Sequence, residues 1–301
     1  MEGLSILIPT YNYCCADLVR ALYEQAIQTG IPFEIIVADD GSTDNSTVQA
    51  NLPINEIPHC HYLIRQKNCG RAIIRNFLTQ QATYPWLLFI DSDMVVCRTD
   101  FLHKYIEQKG EVTDGGVVIG NTHEHEHLLR YLYEKASEHE HTVEKRSKNP
   151  YHDFHTANFM VRRELMIRFP FDERYNHYGY EDVAFGITLK ENGISIHHID
   201  NPVSFEVFES NEEFVIKTEE GLRTLYEFRH ELHDYSRILR AIDSLPHPVI
   251  WFISSCHRLF GAWERDLLVC GHPWLSLFKT YKMGYYLNYA QKQLSIAKNY
   301  S

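Results

Sequence analysis

LLFIDSDMVV, residues 87–96, has the pattern of a buried strand that ends in a pair of acids. Leu87 to Ile90 are continuously apolar, which is typical of a sheet strand covered on both faces. Asp91 and Asp93 follow at once, separated by one serine. Burying an unpartnered carboxylate is costly, and two neighbouring carboxylates also repel each other. The pattern therefore predicts a positively charged group at the end of this strand.

Short apolar runs alternate with helical patterns across the first hundred residues. Because strands and helices at this spacing form βαβ units, the alternation predicts a parallel sheet. Ligands of such sheets bind at the carboxyl ends of the strands, where we find PTYN (9–12), DDGS (39–42) and DSD (91–93). The predicted strands are 4–9, 33–38, 61–66 and 86–90, and the predicted helices are 14–29, 43–51 and 70–82.

The rest of the chain has a different pattern. A helix followed by a fifth strand, GGVVIGN (115–121), is predicted between about 98 and 120. Residues 121–150 are polar and rich in histidine, residues 155–200 have globular character, and residues 216–301 are mostly helical by pattern.

Composition narrows the classes of protein. The formal net charge of −11 disfavours a nucleic-acid binder, which usually carries a basic face. The seven cysteines include no C-x-x-C, which argues against a disulfide framework or zinc knuckle and favours reduced thiols in the cytoplasm. The N-terminus lacks the pattern of a signal peptide, and we find no apolar stretch of the length that crosses a membrane.

Two acid clusters follow predicted strands. Asp91-Ser92-Asp93 could share a hard divalent cation, which takes oxygen ligands and often keeps substrate phosphate in its shell. The alternative is a solvated loop. Asp39-Asp40-Gly41-Ser42 has the composition of a turn, and one of its carboxylates could also accept the imide N–H of uracil.

Two further motifs open helices. Lys67-Asn68-Cys69-Gly70-Arg71 precedes a predicted helix, whose N-terminus favours anions, although an ordinary strand-to-helix turn explains it equally well. Glu181-Asp182 opens another helix. Acids in a first turn are common because they favour the macrodipole. The functional alternative is a general base that accepts an alcohol proton.

Six motifs follow one another along the chain: PTYN (9–12), DDGSTDNS (39–46), NCGRAIIRN (68–76), DSD (91–93), TANFMVRRELMIRFPFDE (156–173) and GYEDVAFGITLKENG (179–193). In this order they resemble the bacterial, inverting family 2 glycosyltransferases of the GT-A fold, and the resemblance covers about residues 1–215. The resemblance implies a mostly parallel Rossmann-like sheet flanked by helices. It divides the chain into a catalytic domain 1–215, with a nucleotide-binding half 1–97 and an acceptor-binding half 98–215, and a helical C-terminal region 216–301.

The resemblance also assigns roles to residues. Asp182 is the implied catalytic base, and Glu181 is implied to contact the acceptor. The residues implied to bind the donor are Pro9 and Tyr11 beside the nucleotide, Asp39 at the uracil edge, Asp40 and Ser42 in the turn, Lys67 and Arg71 at the base or diphosphate, Asp91 at the ribose and metal, Ser92 next to it in the DSD motif, and Asn158 near the sugar.

A divalent cation, Mn²⁺ or Mg²⁺, is implied as cofactor, with Asp91 and Asp93 as ligands. Many relatives carry a further histidine ligand where this chain has Phe205 and Glu206. Glu206 could substitute, because its carboxylate supplies oxygen ligands, with water completing the shell; the alternative is that the metal site is altered.

The implied function is transfer of a hexosyl or N-acetylhexosaminyl group from a nucleotide sugar, UDP-linked, to a glycan or lipid-linked hydroxyl acceptor in cell-surface polysaccharide biosynthesis. Two alternatives are a nucleotidyltransferase that makes nucleotide sugars and a non-catalytic UDP-sugar-binding protein. The first usually has a Gly-rich basic loop near the N-terminus, which ILIPTYNYCC (6–15) lacks.

HEHEH (123–127) formally fits the zincin pattern through His123, Glu124 and His127, with His139 and His141 as notional third ligands. Its polar context favours a solvated surface, with an acceptor-binding loop or adventitious metal site as alternatives.

The aromatic tail also leaves two interpretations. Its helices could pack on the core or form a homodimer, or its mix of aromatic and basic residues could touch the inner face of the membrane. We therefore expect a cytoplasmic protein, with peripheral membrane contact as the alternative.

Overall fold

The computed structural model describes residues 1–120, 123–270 and 273–299, which form two compact units. The first unit comprises residues 1–121, 138–176 and 181–207, and the second comprises residues 122–137, 177–180 and 208–301. These limits differ from the predicted domain boundary at residue 215, which stays a prediction.

The first unit contains the strands, arranged in two sheets. The larger sheet has the order β3-β2-β1-β4-β8-β6-β9, and the smaller has the order β5-β10-β7. The strands are β1 (Leu4–Thr10), β2 (Phe33–Asp39), β3 (Cys60–Ile64), β4 (Trp86–Ile90), β5 (Met94–Val96), β6 (Val112–Asp114), β7 (Val117–Ile119), β8 (Asn158–Arg162), β9 (Ile196–His198) and β10 (Val203–Phe205).

The larger sheet is parallel except at β8, which runs antiparallel to both of its neighbours. Strands β1, β2 and β4 are almost wholly buried, as their continuous apolar sequences predict. The rings of Phe89 and Phe159 stack at 4.9 Å across β4 and β8. Burial of each such ring contributes about 1.5–3 kcal/mol to folding. The mostly parallel sheet predicted from the sequence is therefore confirmed.

Helices connect these strands and make up most of the second unit. The first unit contains α1 (Ala16–Thr29), α2 (Asn45–Asn51), α3 (Arg71–Gln81), α4 (Phe101–Ile106), α6 (Val143–Arg146), α7 (Arg163–Arg168) and α8 (Glu181–Glu191). The second contains α5 (Leu129–Ser137), α9 (Asn211–Glu227), α10 (Arg237–Ser244), α11 (His247–Val269) and α12 (Leu275–Asn299).

Local sequence explains several helix ends. Gly30 ends α1 in the left-handed conformation that glycine adopts without strain. Ser210 and Glu213 form a reciprocal capping box at the start of α9. The predicted helical tail is therefore confirmed over the residues that the structure describes; residues 271, 272, 300 and 301 lie outside them.

The predicted fifth strand is confirmed only over β7. Gly115 and Gly116 separate it from β6, and the φ of Gly116 is +84°, a conformation that an L-residue rarely adopts. Asn121, the last residue of the predicted strand, lies outside the described residues.

Two bulk properties concern the whole described chain. All seven cysteines lie within it and are free thiols. No helix among the described residues combines the length and apolarity needed to cross a membrane.

Candidate active site

The loops that follow β1 and β2 are joined to each other. The backbone N–H of Asn12 donates to Ser42 Oγ at 2.7 Å, and Asn12 Oδ1 accepts from the N–H groups of Thr43 at 2.8 Å and Asp44 at 2.9 Å. Asn12 has a φ of +50°, which a side chain that bonds the neighbouring backbone helps to hold. Tyr11 is 42 % exposed beside this junction, where its ring can serve as a stacking surface.

The Asp39 carboxylate faces inward. Asp39 is 1 % exposed; its Oδ1 accepts from the N–H of Ser42 at 2.6 Å, and its Oδ2 accepts from the Tyr62 hydroxyl at 2.5 Å. These two bonds fix the carboxylate in the turn. A base at this position would use the remaining lone pairs of the two oxygens.

Asp40 holds the loop that precedes α3. Its Oδ1 accepts from Arg65 Nη1 at 2.8 Å, and its Oδ2 accepts from the N–H groups of Cys69 at 3.0 Å and Gly70 at 2.9 Å. At Gly41, where φ is +74°, a Cβ would lie 2.5 Å from the carbonyl carbon of Lys67. Glycine is therefore required for the two loops to approach this closely.

A buried arginine, Arg75 of α3, supplies a positive charge for Asp91, the first acid of the pair. Arg75 is 1 % exposed, and its Nη2 lies 2.6 Å from Asp91 Oδ1. Its Nη1 lies 3.7 Å from Glu181 Oε1, and its guanidinium lies over the Phe171 ring, 5.6 Å from the centroid. Arg71, one turn earlier, lies 3.7 Å from the same glutamate oxygen. One cation thus brings the DSD and YED motifs together.

The acid pair at the start of α8 has two different environments. Glu181 is buried, and burial raises its pKa above the ordinary value of 4.5; Arg71 and Arg75 oppose this shift, and the charge of Asp182 adds to it. Asp182 is partly exposed, and its Oδ1 accepts from the N–H of Val183 at 2.7 Å. The more accessible carboxylate is the one predicted to be the base.

The backbone before this pair is in an uncommon conformation. Gly179 and Tyr180 have φ values of +92° and +72°. A non-glycine residue held there costs on the order of 1–3 kcal/mol, and such residues cluster at active sites.

Asp93 and Glu206 lie on neighbouring strand ends. In the antiparallel β5–β10 pair, Met94 is opposite Phe205. Continuing that register by one residue places Asp93 opposite Glu206. Burial raises the pKa of Tyr13, and the charges of Asp93 and Glu206 both raise it further, so the two carboxylates lie near the same hydroxyl. This arrangement is consistent with the predicted involvement of Glu206.

The described residues alone do not provide a complete metal site. Among the described residues, no group of three or more His, Cys, Asp or Glu side chains is arranged to hold a metal ion. Asp91, Asp93 and Glu206, at the ends of β4, β5 and β10, nevertheless offer hard oxygen donors. Such donors suit a divalent cation that keeps water and substrate phosphate as its other ligands.

Asn158 has the contacts of a structural residue. It is fully buried; its Oδ1 accepts from the Tyr105 hydroxyl at 2.7 Å, and its Nδ2 donates to the carbonyls of Gly116 and Asn201, both at 2.9 Å. These bonds support a role in joining three segments of chain. The predicted contact with a donor sugar receives no support from them.

The remaining predicted residues lie at the surface of the same strand ends. Lys67 and Glu206 are exposed, whereas Pro9, Ser92 and Asp93 are partly buried.

Sequence reasoning missed Arg75, Asn12 and Tyr62. The four-residue spacing of Arg71 and Arg75, which puts both on one helix face, is the signal that could have indicated a second basic residue.

The zincin geometry is absent from the described part of the HEHEH segment. The required helix does not form: a short 3₁₀ helix covers 123–125, and turns follow it. His125 instead packs against Tyr131 and Phe208, with centroid distances of 6.2 and 5.3 Å. The side chain of His123 lies outside the described residues. Nearby, His139 pairs with Glu140, and His141 contacts His155 at 3.0 Å.

The family model for glycosyl transferase family 2 matches residues 5–169, more than half of the chain. The chain belongs to this family. The match spans β1 to β8 and includes the loops and the DSD motif described above. The predicted family is therefore confirmed.

Individual relatives extend the comparison. Chondroitin synthase of Pasteurella multocida is 28 % identical over 242 residues, which are 67 % of this chain and 24 % of that protein. The glycosyltransferase YibD of Escherichia coli is 40 % identical over 91 residues, which are 30 % of this chain and 26 % of that protein. The chain thus spans about a quarter of each of these curated relatives.

A solved structure supports the fold. The mannosyltransferase PcManGT of Pyrobaculum calidifontis, in complex with GDP-Man and Mn²⁺, superposes with a TM-score of 0.53 at 16 % identity, covering 96 % of this chain and 86 % of that one. The GT-A fold predicted from the motifs is confirmed by this likeness and the family match together.

Proposed function

We propose that this family member is a metal-dependent, inverting glycosyltransferase that moves a sugar from a UDP-linked donor to a hydroxyl of a glycan or lipid-linked acceptor. The observation that carries the proposal is the Arg75 guanidinium, which contacts Asp91 of the donor-side motif and lies 3.7 Å from Glu181 beside the candidate base. The same buried guanidinium thus lies beside the motif proposed to bind the donor and beside the motif that carries the proposed base.

The donor side is supported by the joined loops. The exposed ring of Tyr11 can stack on a base, and Lys67 and Arg71 can approach a diphosphate. A uracil base is favoured because Asp39 offers only acceptors, which suit an imide N–H. A named relative is a chondroitin synthase, and another that matches is the hyaluronan synthase of Pasteurella multocida. These names support a polysaccharide product and either a hexosyl or an N-acetylhexosaminyl donor.

A divalent cation would be held by Asp93 and Asp91, with Glu206 in place of the relatives' histidine and the diphosphate completing the shell. When bound, it would offset the negative charge that develops on the departing nucleoside diphosphate. Mn²⁺ in the complex of the similar mannosyltransferase supports this class of cofactor.

The protein's own residues perform the remaining steps. Asp182 accepts the proton of the acceptor hydroxyl, whose oxygen attacks the anomeric carbon from the face opposite the leaving diphosphate, so that the configuration inverts. Arg75 keeps the two motifs in register, which lowers the entropy cost of aligning donor and acceptor. Glu181 is predicted to contact the acceptor. Its burial against Arg71 and Arg75 supports a second role, in positioning these side chains.

The first test is donor binding. We expect a thermal-shift screen of UDP- and GDP-sugars to show stabilisation by one donor only when Mn²⁺ is present, because a ligand that binds the folded state raises its stability. Asp93→Ala should abolish the part of the donor's stabilisation that depends on Mn²⁺. Asp17→Ala, an exposed acid on α1, is the matched control and should leave it unchanged.

The second test is turnover. Release of UDP should fall by roughly 10²–10⁴-fold in Asp182→Asn, while the donor still stabilises the variant. Undiminished release in both Asp93→Ala and Asp182→Asn would contradict the proposal. Donor binding without transfer to any acceptor would favour a non-catalytic sugar-nucleotide-binding protein.

A further inference from the structure

Five large apolar side chains project into solvent from one side of α11. Each is between 54 and 77 % exposed. These residues, called the α11 face below, are Trp251, Phe252, Leu259, Phe260 and Trp263. At about 150–250 Å² for a whole aromatic side chain, they present roughly 600 Å² of apolar surface. That area is at the upper limit for a soluble monomer and approaches the roughly 800 Å² that each partner buries in a standard interface.

The spacing along α11 is that of a helix–helix contact. Phe252, Cys256, Leu259 and Trp263 follow one another at intervals of four, three and four residues. Alternation of three and four keeps apolar side chains on the seam where a second helix packs. A helix that lies on a lipid surface can have the same spacing, so the charge of the region decides between the two occupants.

The charge of this region is balanced. Between residues 248 and 267, all of which the structure describes, two acidic and two basic side chains occur. Arg258 donates to Gln291 at 2.7 Å, Glu264 contacts His257 at 2.7 Å, and Arg265 contacts Glu219 at 3.2 Å, so three of the four are engaged within the chain. Attraction to an anionic bilayer requires a cluster of available basic residues. The α11 face has none, and the chain carries a net charge of −11.

We propose that the α11 face is the contact surface of a homodimer, with the same face of a second copy as its occupant. A two-fold axis near Leu259 would pack two α11 helices antiparallel, because an isologous contact uses the same patch on both subunits. The neutral seam sets no like charges opposite each other. The area and the charge balance match what such a contact requires, and the spacing is compatible with it.

The test is the mass of the full chain in solution, measured by sedimentation equilibrium from low to high micromolar concentration. We expect the wild type to have twice the 35.4 kDa of the monomer. Leu259→Glu should raise the dissociation constant by at least about 30-fold, the effect of losing one central hot-spot side chain. Trp263→Glu should act in the same direction.

Ile27→Glu is the matched control. Ile27 is 54 % exposed on α1, so the variant makes the same chemical change on another helix, and it should remain dimeric. Unchanged circular dichroism and melting temperature in each variant would show that the fold is retained. A wild type that is monomeric throughout, or a dimer that survives both glutamate variants, would overturn the proposal. A different result would identify a lipid surface as the occupant: a monomeric wild type that floats with phosphatidylcholine–phosphatidylglycerol vesicles, and a Trp263→Glu variant that does not.

Discussion

Two buried arginines of the first unit differ in how completely their guanidinium N–H groups are hydrogen-bonded. Arg146 donates from all three of its nitrogens: Nε to the carbonyl of His141 at 3.0 Å, Nη1 to Asp114 Oδ2 at 2.9 Å, and Nη2 to the carbonyl of Ile199 at 3.0 Å. Asp114 is also paired with buried His198 at 2.9 Å. Arg75 has two carboxylates near its terminal nitrogens, but its Nε has no hydrogen-bond partner among the described residues.

The difference separates a buried charge whose hydrogen bonds are complete from one whose hydrogen bonds are not. A closed network such as that of Arg146 holds strand ends together and has no need of a ligand. The network of Arg75 is incomplete. Its acids, Asp91 and Glu181, are followed in the chain by Asp93 and Asp182, which are partly exposed. Incomplete buried networks are costly, so the two arginines should differ in what they contribute to stability.

The largest effect is expected for Arg146→Met. The substitution leaves the Asp114 carboxylate buried without its cation, so the free energy of unfolding should fall by about 3–5 kcal/mol. Arg75→Met should lose less than half as much, because Asp91 reaches solvent and Glu181 can take up a proton. Urea unfolding at neutral pH measures both. Equal losses would remove the distinction between the two networks.

A smaller effect, on activity, is expected for Arg75→Lys. Lysine keeps the charge but cannot present two donors in a fixed fork, so the DSD and YED motifs would lose their register. Turnover measured by UDP release should fall on the order of 10²-fold. Arg146→Lys is the matched control and should leave the turnover of the folded protein near that of the wild type. A similar loss in both would mean that Arg75 has no special link to catalysis.

The two networks should also respond to pH with opposite sign. Burial raises the pKa of Asp114, but the hydrogen bond to His198 and the charge of Arg146 outweigh it and leave the pKa below its ordinary 3.8. This stabilisation is present above pH 3.8 and is lost as the pH falls through the lowered value. The pKa of Glu181 is raised mainly by burial, so its contribution is full below 4.5 and declines as the pH rises through the raised value. Each slope is at most about 1.4 kcal/mol per pH unit.

The test is the free energy of unfolding of Asp114→Asn and of Glu181→Gln, each compared with the wild type across the acidic pH range. The two variants should differ in the direction in which this comparison changes with pH. The deficit of Asp114→Asn should shrink as the pH falls below 3.8. The deficit of Glu181→Gln should shrink as the pH rises above 4.5. Parallel pH curves for a variant and the wild type would contradict the assignment for that residue.

The smallest effect is expected for Tyr105→Phe. Loss of the hydroxyl removes one hydrogen bond to Asn158 and should cost about 1 kcal/mol of stability. If Asn158 is structural, the KM for the donor should not change. A raised KM with unchanged stability would instead restore the predicted contact between Asn158 and the donor sugar.

The order of elements was largely predictable, because local patterns specify it. The strand at 86–90 matches the prediction at both ends, since its apolar run is bounded by Pro85 and Asp91. The short strands β5 and β10 were not predicted. Three residues carry too little periodicity to stand out, and these strands form by pairing with segments distant in the chain: β10 pairs with both β5 and β7.

The sequence by itself determined that this chain alternates strands and helices, that acidic and polar motifs follow the strands, and that the motifs belong to family 2. It also showed that the acids at 91 and 93 need a positive group. Only the tertiary structure decided which side chain supplies positive charge to Asp91. An arginine within a helix is usually exposed, and nothing local distinguishes Arg75 from Arg71. Arg75 becomes the buried counter-charge because α3 packs it between segments that lie 16 and 106 residues further along the chain, and contacts of that range have no local signature.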